Sequence, residues 1–168
     1  LMLVPSFATN VVQGVIGGAL SEILRRLWFL LAIACIAIWL SSALLAGADT
    51  TILSAVLGLS LCLYGGLSLK RPQVPEPGRK EIWLSPLIGA INGGLTGITG
   101  SFVVPGVLYL QALGWPRDVF VQAMGVLFTV STVALAAAMS GRGLLPAELG
   151  LLSLVGLVPA FLGMYIGL

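Results

Sequence analysis

Between Ile82 and Pro116 the chain runs for 35 residues without a single charge. As one straight helix this run would reach roughly 52 Å at 1.5 Å per residue, against a hydrocarbon core of about 30 Å. It must therefore tilt steeply, overhang or break. Gly93, Gly94, Gly97 and Gly100 punctuate it and Pro105 follows, so a break is expected between Gly97 and Ser101, leaving two half-helices. Irregular backbone at membrane depth is tolerated only where protein or a wet cavity surrounds it. The stretch from Gly89 to Pro105 is accordingly expected to form a transport site.

Composition decides the solvent. Of 168 residues, 58% are hydrophobic and 8% charged, whereas soluble domains carry about 25% charged residues. This implies an integral membrane protein, an all-α polytopic bundle with a Gly-rich broken or re-entrant helix. The net charge of +2 is too small to suggest a nucleic-acid partner. The absence of histidine removes the commonest general base and metal ligand, and the acids Glu22, Asp49, Asp118 and Glu148 all fall at segment ends. No metal, cofactor or enzymatic activity is expected. Cys35 and Cys62 lie in separate apolar runs and read as packed small hydrophobes. The chain opens on Leu1-Met2-Leu3 and closes inside an apolar run, so a fragment is expected.

Segment by segment, Leu1–Leu20 is apolar but carries Thr9, Asn10 and Gln13, with Thr9 and Gln13 on one helical face. Amides in a membrane helix need a partner helix or a cavity. Glu22 precedes Arg25 and Arg26 by three and four residues, a spacing that allows ion pairs. Leu27–Ala46 and Thr51–Leu69 are the next crossings, the second with Gly58, Gly65 and Gly66 as close-approach points. Lys70 to Glu81 holds three prolines and six charges and reads as an aqueous linker. Two crossings separate it from Arg25 and Arg26, so these basic residues share one side, cytoplasmic by the positive-inside rule. Val119–Ser140 and Leu144–Leu168 are the last crossings. Residues 1–69 are then the C-terminal part of a first repeat, 70–82 a linker, and 83–168 a second repeat. Ala123-Met-Gly-Val aligns with Ala8-Thr-Asn-Val, and Pro159 to Gly167 aligns with Ile33 to Ser41. The small pairs Gly163/Gly167 and Ala37/Ser41 match in that alignment. Charge counting leaves open whether Ile82–Pro116 crosses once or folds back.

Several short motifs occur in order: Gly93-Gly-Leu-Thr-Gly-Ile-Thr-Gly100, Val104-Pro-Gly-Val-Leu-Tyr-Leu-Gln-Ala-Leu-Gly114, Phe120-Val-Gln-Ala-Met-Gly125 and Pro159-Ala-Phe-Leu-Gly163. With Pro5, Thr9-Asn10-Val-Val-Gln13 and Arg25-Arg26-Leu-Trp28, they resemble the TauE/SafE family of sulfite exporters, the four-toluene-sulfonate uptake class. The family's glycine cluster commonly ends in consecutive glycines, whereas here Thr99 and Ser101 flank a single Gly100. The resemblance implies a multi-pass transporter of the bacterial inner membrane carrying sulfite or another small sulfur-containing anion.

The residues alone suggest a related ligand. A half-helix starting near Ser101 would aim backbone N–H groups and its positive dipole end at mid-membrane, an anion site without a fixed cation. Thr96, Thr99 and Ser101 would add hydroxyl donors, and Gly97 and Gly100 would allow close backbone approach. Asn10 and Gln13 would face them from the first repeat. The competing reading is that the glycines pack helices, because Gly89/Gly93 and Gly93/Gly97 are GxxxG pairs. Asn92 and Gln122 are weighed in the same way, Gln122 towards interface packing, and Thr129, Ser131 and Thr132 towards bonding back to their own helix. A non-transporting membrane subunit or assembly factor is the alternative function, and would have a continuous helix from Gly89 to Leu113. The expected partners are a small inorganic or organosulfur anion and the lipid bilayer, with a homo-oligomer left open.

Overall fold

A computed structural model describes residues 3–45, 49–69, 77–101, 105–143, 153 and 155–167. Those residues form seven α-helices and one turn of 3-10 helix, with no strand among them: α1 (Leu3–Val15), α2 (Leu20–Leu45), α3 (Thr50–Leu69), the turn Gly78–Lys80, α4 (Glu81–Thr99), α5 (Gly106–Ala112), α6 (Arg117–Ser140) and α7 (Leu157–Gly167). Two helices, Leu20–Leu44 and Arg117–Ser140, are long and apolar enough to cross a membrane.

The closest helix contact is dictated by glycine. On α4, Gly89, Gly93 and Gly97 stand four residues apart and so share one stripe. A Cβ on Gly89 would meet the Leu30 carbonyl, one on Gly93 the Ala34 backbone and Ala37, and one on Gly97 Ser41 and the Ile38 carbonyl. The two numberings rise together, so α4 runs parallel to α2 at backbone contact. The expected small pair Ala37/Ser41 lies at this seam, where the Ser41 hydroxyl donates to the Gly93 carbonyl at 3.3 Å. The GxxxG packing weighed from the sequence is what holds these three glycines.

α1 packs on α6 in the opposite sense. Gly125 lies against the backbone of Asn10, Gln13 and Gly14, while Gly17 meets Gln122 further down. Gln122, 1% exposed, clamps the turn after α1: its Nε2 donates to the Gly14 carbonyl at 3.0 Å and its Oε1 accepts the Ala19 N–H at 3.0 Å. Gly18 in that turn has φ +77°, which favours glycine. The chain thus turns before Leu20, and Arg25 and Arg26 sit within α2 rather than between crossings. Ile23, Leu27 and Leu30 of α2, Leu110 and Leu113 around α5, and Ala123 and Leu127 of α6 form the buried core between these helices.

Arginines fasten both ends. Arg26 donates through Nε and Nη2 to the Glu81 carboxylate at 2.7 and 2.9 Å, and its guanidinium lies 5.1 Å from the Trp115 ring centre. The carboxylate paired with Arg26 is therefore on α4, not the nearby Glu22 the spacing suggested. At the other end Arg142 donates to the Ser42 hydroxyl at 2.7 Å and to the Trp39 and Ala138 carbonyls at 2.8 and 3.1 Å. It thereby caps α2 and α6 together.

α3 departs furthest from expectation. Gly58, Gly65 and Gly66 have nothing within 4 Å of a built Cβ, and Cys62 is exposed rather than packed, while Cys35 is half-buried. Asp49 caps α3 by accepting the Thr51 N–H at 2.9 Å, a bond that lowers its carboxyl below the ordinary value. Glu148 and residues 70–76 of the linker lie outside the described residues.

Candidate functional site

The end of α4 is built by its own side chains. Gly100 adopts φ +70° and donates its N–H to the Thr96 carbonyl at 2.8 Å, a left-handed helix cap. A Cβ there would meet no protein atom within 4 Å, and the left-handed φ is what favours glycine at this position. The Thr99 hydroxyl donates to the Leu95 carbonyl at 2.7 Å and accepts the Ser101 N–H at 3.2 Å. The Thr96 hydroxyl, fully buried, donates to the Ser101 carbonyl at 3.0 Å. Two of the three hydroxyls expected to face a solute thus serve the chain's own carbonyls. Ser101 is half-buried, and its hydroxyl has no partner among the described residues.

The next helix does not start near Ser101. α5 begins at Gly106 behind Pro105, and Phe102, Val103 and Val104 lie outside the described residues. The N–H groups of Gly100 and Ser101, expected to meet an anion, are already bonded. The helix end at Thr99 is a C-terminus, which presents carbonyls and partial negative charge. A buried donor without a partner lies instead on a side chain of α4.

That side chain is Asn92, fully buried in α4. Its Oδ1 accepts the Gly106 N–H at 3.1 Å, while its Nδ2 is buried with no hydrogen-bond partner. A Cβ at Gly106 would lie 2.8 Å from Asn92 Oδ1 and 2.9 Å from Leu127 Cδ2, so a larger residue there must push these two side-chain ends aside. Ser85, Asn92 and Thr96 stand at i, i+7 and i+11, one stripe of α4 beside the glycine stripe. Ser85 is 5% exposed and Tyr109 of α5 is 3% exposed. Their hydroxyls face each other at the margin of hydrogen-bonding geometry, near the charges on Glu81 and Arg26. On α6, Ser131 sits one turn beyond Leu127 and is also buried without a partner, as is the Thr129 hydroxyl. Only Thr132 of the three α6 hydroxyls is seen to bond back, to the Phe128 carbonyl at 2.7 Å.

A buried polar atom left unpaired costs about 1–3 kcal/mol, so this concentration around α4 and α5 calls for water or a solute. No group of three metal-ligating side chains occurs among the described residues.

The remaining sequence candidates are elsewhere. Gly97 is engaged with α2, and the backbones of Asn10 and Gln13 form part of the α1–α6 contact. The structure therefore gathers Thr96, Thr99, Gly100 and Ser101 at one helix end, with Asn92 one turn before Thr96 on the same helix, while Asn10 and Gln13 belong to a different helix pair. Asn92 was legible as an amide in an apolar run. Ser85 and Tyr109 were not singled out, although the seven-residue spacing of Ser85 and Asn92 on one stripe was there to be found.

The family model for sulfite exporter TauE/SafE matches residues 1–168, the whole chain. This chain belongs to the TauE/SafE family. Comparison with curated proteins and with solved structures gave no significant match. The TauE/SafE family is one of membrane-integral transporters of sulfur anions rather than of enzymes.

Proposed function

We propose that this TauE/SafE protein carries a small sulfur oxyanion, sulfite or an organosulfonate, across a bacterial inner membrane. The solute is handled where α4 gives way to α5. The observation that carries this reading is the interruption of the uncharged run: α4 stops at Thr99, α5 starts at Gly106, and the run begins and ends beside Arg26 through Glu81 and Trp115. This supports a re-entrant hairpin, in which α4 enters the membrane and α5 returns from partway through it. A continuous helix from Gly89 to Leu113 would have favoured the alternative of a non-transporting subunit.

In this proposal Ser101 and Asn92 supply donors to the oxyanion. Thr96, Thr99 and Gly100 hold the end of α4 in the shape that leaves them free, and Gly97 fixes α4 on α2. Asn10 and Gln13 act from α1 through its packing on α6. The sidedness follows the linker, with the Arg26–Glu81 end cytoplasmic, and the two-repeat division at residues 70–82 belongs to the same reading.

Flux of radiolabelled sulfite into proteoliposomes of the full-length protein tests the proposal. Saturable uptake, competed by methanesulfonate and absent from empty liposomes, is expected. Uptake equal to that of empty liposomes for sulfite and for organosulfonates alike would overturn it.

A further inference from the structure

Three of the five buried unpaired polar atoms among the described residues, on Ser85, Asn92 and Tyr109, lie along the contact between α4 and α5, and the other two, on Thr129 and Ser131, lie on α6. At the Arg26 end an open recess of about 540 Å³ lies between α2 and α4, walled in part by Arg26, Phe29, Glu81 and Ser85. Ser85 is the point where this recess meets the buried seam, because its hydroxyl lies beside that of Tyr109. One turn back along α5 from Tyr109 is Gly106, whose N–H is held by Asn92. One turn further along α4 from Asn92 is Thr96, bonded to Ser101. Ser85, Tyr109 and Asn92 each carry a buried polar atom without a partner. Ser85 and Asn92 are separated by about 10 Å along the helix axis at 1.5 Å per residue.

We propose that the seam lined by Ser85, Tyr109 and Asn92 is an aqueous route by which a small hydrogen-bond-accepting anion passes between the Arg26–Glu81 end and the end of α4. It rests on the transport reading above and adds the path to it. Three features point to a route rather than to loose packing. Ser85, Tyr109 and Asn92 succeed one another along one helix contact that opens on the recess at Ser85. Buried water forms about three hydrogen bonds to such otherwise unsatisfied groups, so a file of water completes all three. The polarity is also selective: Asn92 offers an unpaired amide that can only donate, and Glu81, the acid at the recess, is neutralised by the two-pronged bond from Arg26. Among the described residues a cation would find no free carboxylate along the seam, while an anion meets donors and can enter without its charge being opposed.

The test uses the full-length protein with Cys35→Ala and Cys62→Ala, adding Ser85→Cys or Asn92→Cys, and a small anionic methanethiosulfonate as probe. A thiol reacts as its thiolate and needs water around it, so Leu87→Cys, on an exposed position of α4, is the lipid-facing control. Ser85→Cys should be modified at least tenfold faster than Leu87→Cys, and only from the linker side. Asn92→Cys should be modified more slowly than Ser85→Cys, and methanesulfonate should protect it. Reaction at Ser85→Cys no faster than at Leu87→Cys overturns the route, even if Asn92→Cys fails to fold. Sulfite flux with an unreactive seam overturns the route and leaves the transport reading standing. A reactive seam in a protein without flux supports the route and overturns the transport reading.

Discussion

Asn92 and Gly106 are joined by a hydrogen bond of 3.1 Å from the first N–H of α5 to the side-chain oxygen of α4. This bond ties the start of the short helix to the middle of the long one. Asn92→Leu should therefore have two effects. It strands the buried Gly106 N–H, a loss of about 1–3 kcal/mol, and it removes the unpaired donor. A lower midpoint of thermal unfolding in detergent, together with sulfite flux reduced at least tenfold, is the expected outcome. Wild-type flux at normal stability would show that neither role exists.

The glycine stripe predicts a sharp contrast between neighbours. A side chain at Gly93 would collide with the Ala34 backbone and Ala37, whereas one at Gly94 meets nothing within 4 Å. Gly93→Leu should destabilise by about 1–3 kcal/mol, the cost of overpacking, by forcing α2 and α4 apart. Gly94→Ala should be neutral or gain up to about 1 kcal/mol from the better helix former. Thermal unfolding of both variants decides the matter, and equal behaviour would count against the parallel α2–α4 contact.

At Gly100 the demand is conformational. Gly100→Ala should cost about 1 kcal/mol for placing an L-residue at φ +70°, and Gly100→Asn less, since asparagine tolerates that region. If transport falls in proportion to side-chain volume instead, the residue lies against the solute after all. Flux across an alanine, asparagine and leucine series measures which applies.

The Arg26–Glu81 pair should contribute less than its geometry suggests. The two side chains are 35% and 21% exposed, and pairs open to solvent give about 0–1 kcal/mol. A double-mutant cycle with Arg26→Gln and Glu81→Gln should return a coupling energy within that range and shrinking with salt. A coupling several times larger would indicate a dry pair.

Topology can be checked independently. With both native cysteines replaced, a cysteine at Gln73 should resist membrane-impermeant thiol reagents in intact cells and react once the membrane is permeabilised. Strong labelling from outside would invert the assigned sidedness.

The sequence by itself determined the all-helical membrane-protein class, because uncharged length and composition act locally, but it did not place the start of α2 at Leu20 or of α5 at Gly106. It also carried the family motifs. What it left open was which side chains meet. GxxxG spacing allowed either helix packing or solute contact, and only the approach of α2 assigned Gly89, Gly93 and Gly97 to packing. The hydroxyls of Thr96 and Thr99 read as free donors until the geometry of the α4 end turned them onto carbonyls. The return of the chain to Arg26 depended on Glu81 and Trp115 meeting one guanidinium, and that contact comes from α2, outside the run itself. Asn92 matters for the same reason: its oxygen is paired and its nitrogen left unpaired by a helix that begins fourteen residues later. Local periodicity fixes the face of a helix on which a residue lies, but the partner on that face is set by tertiary packing.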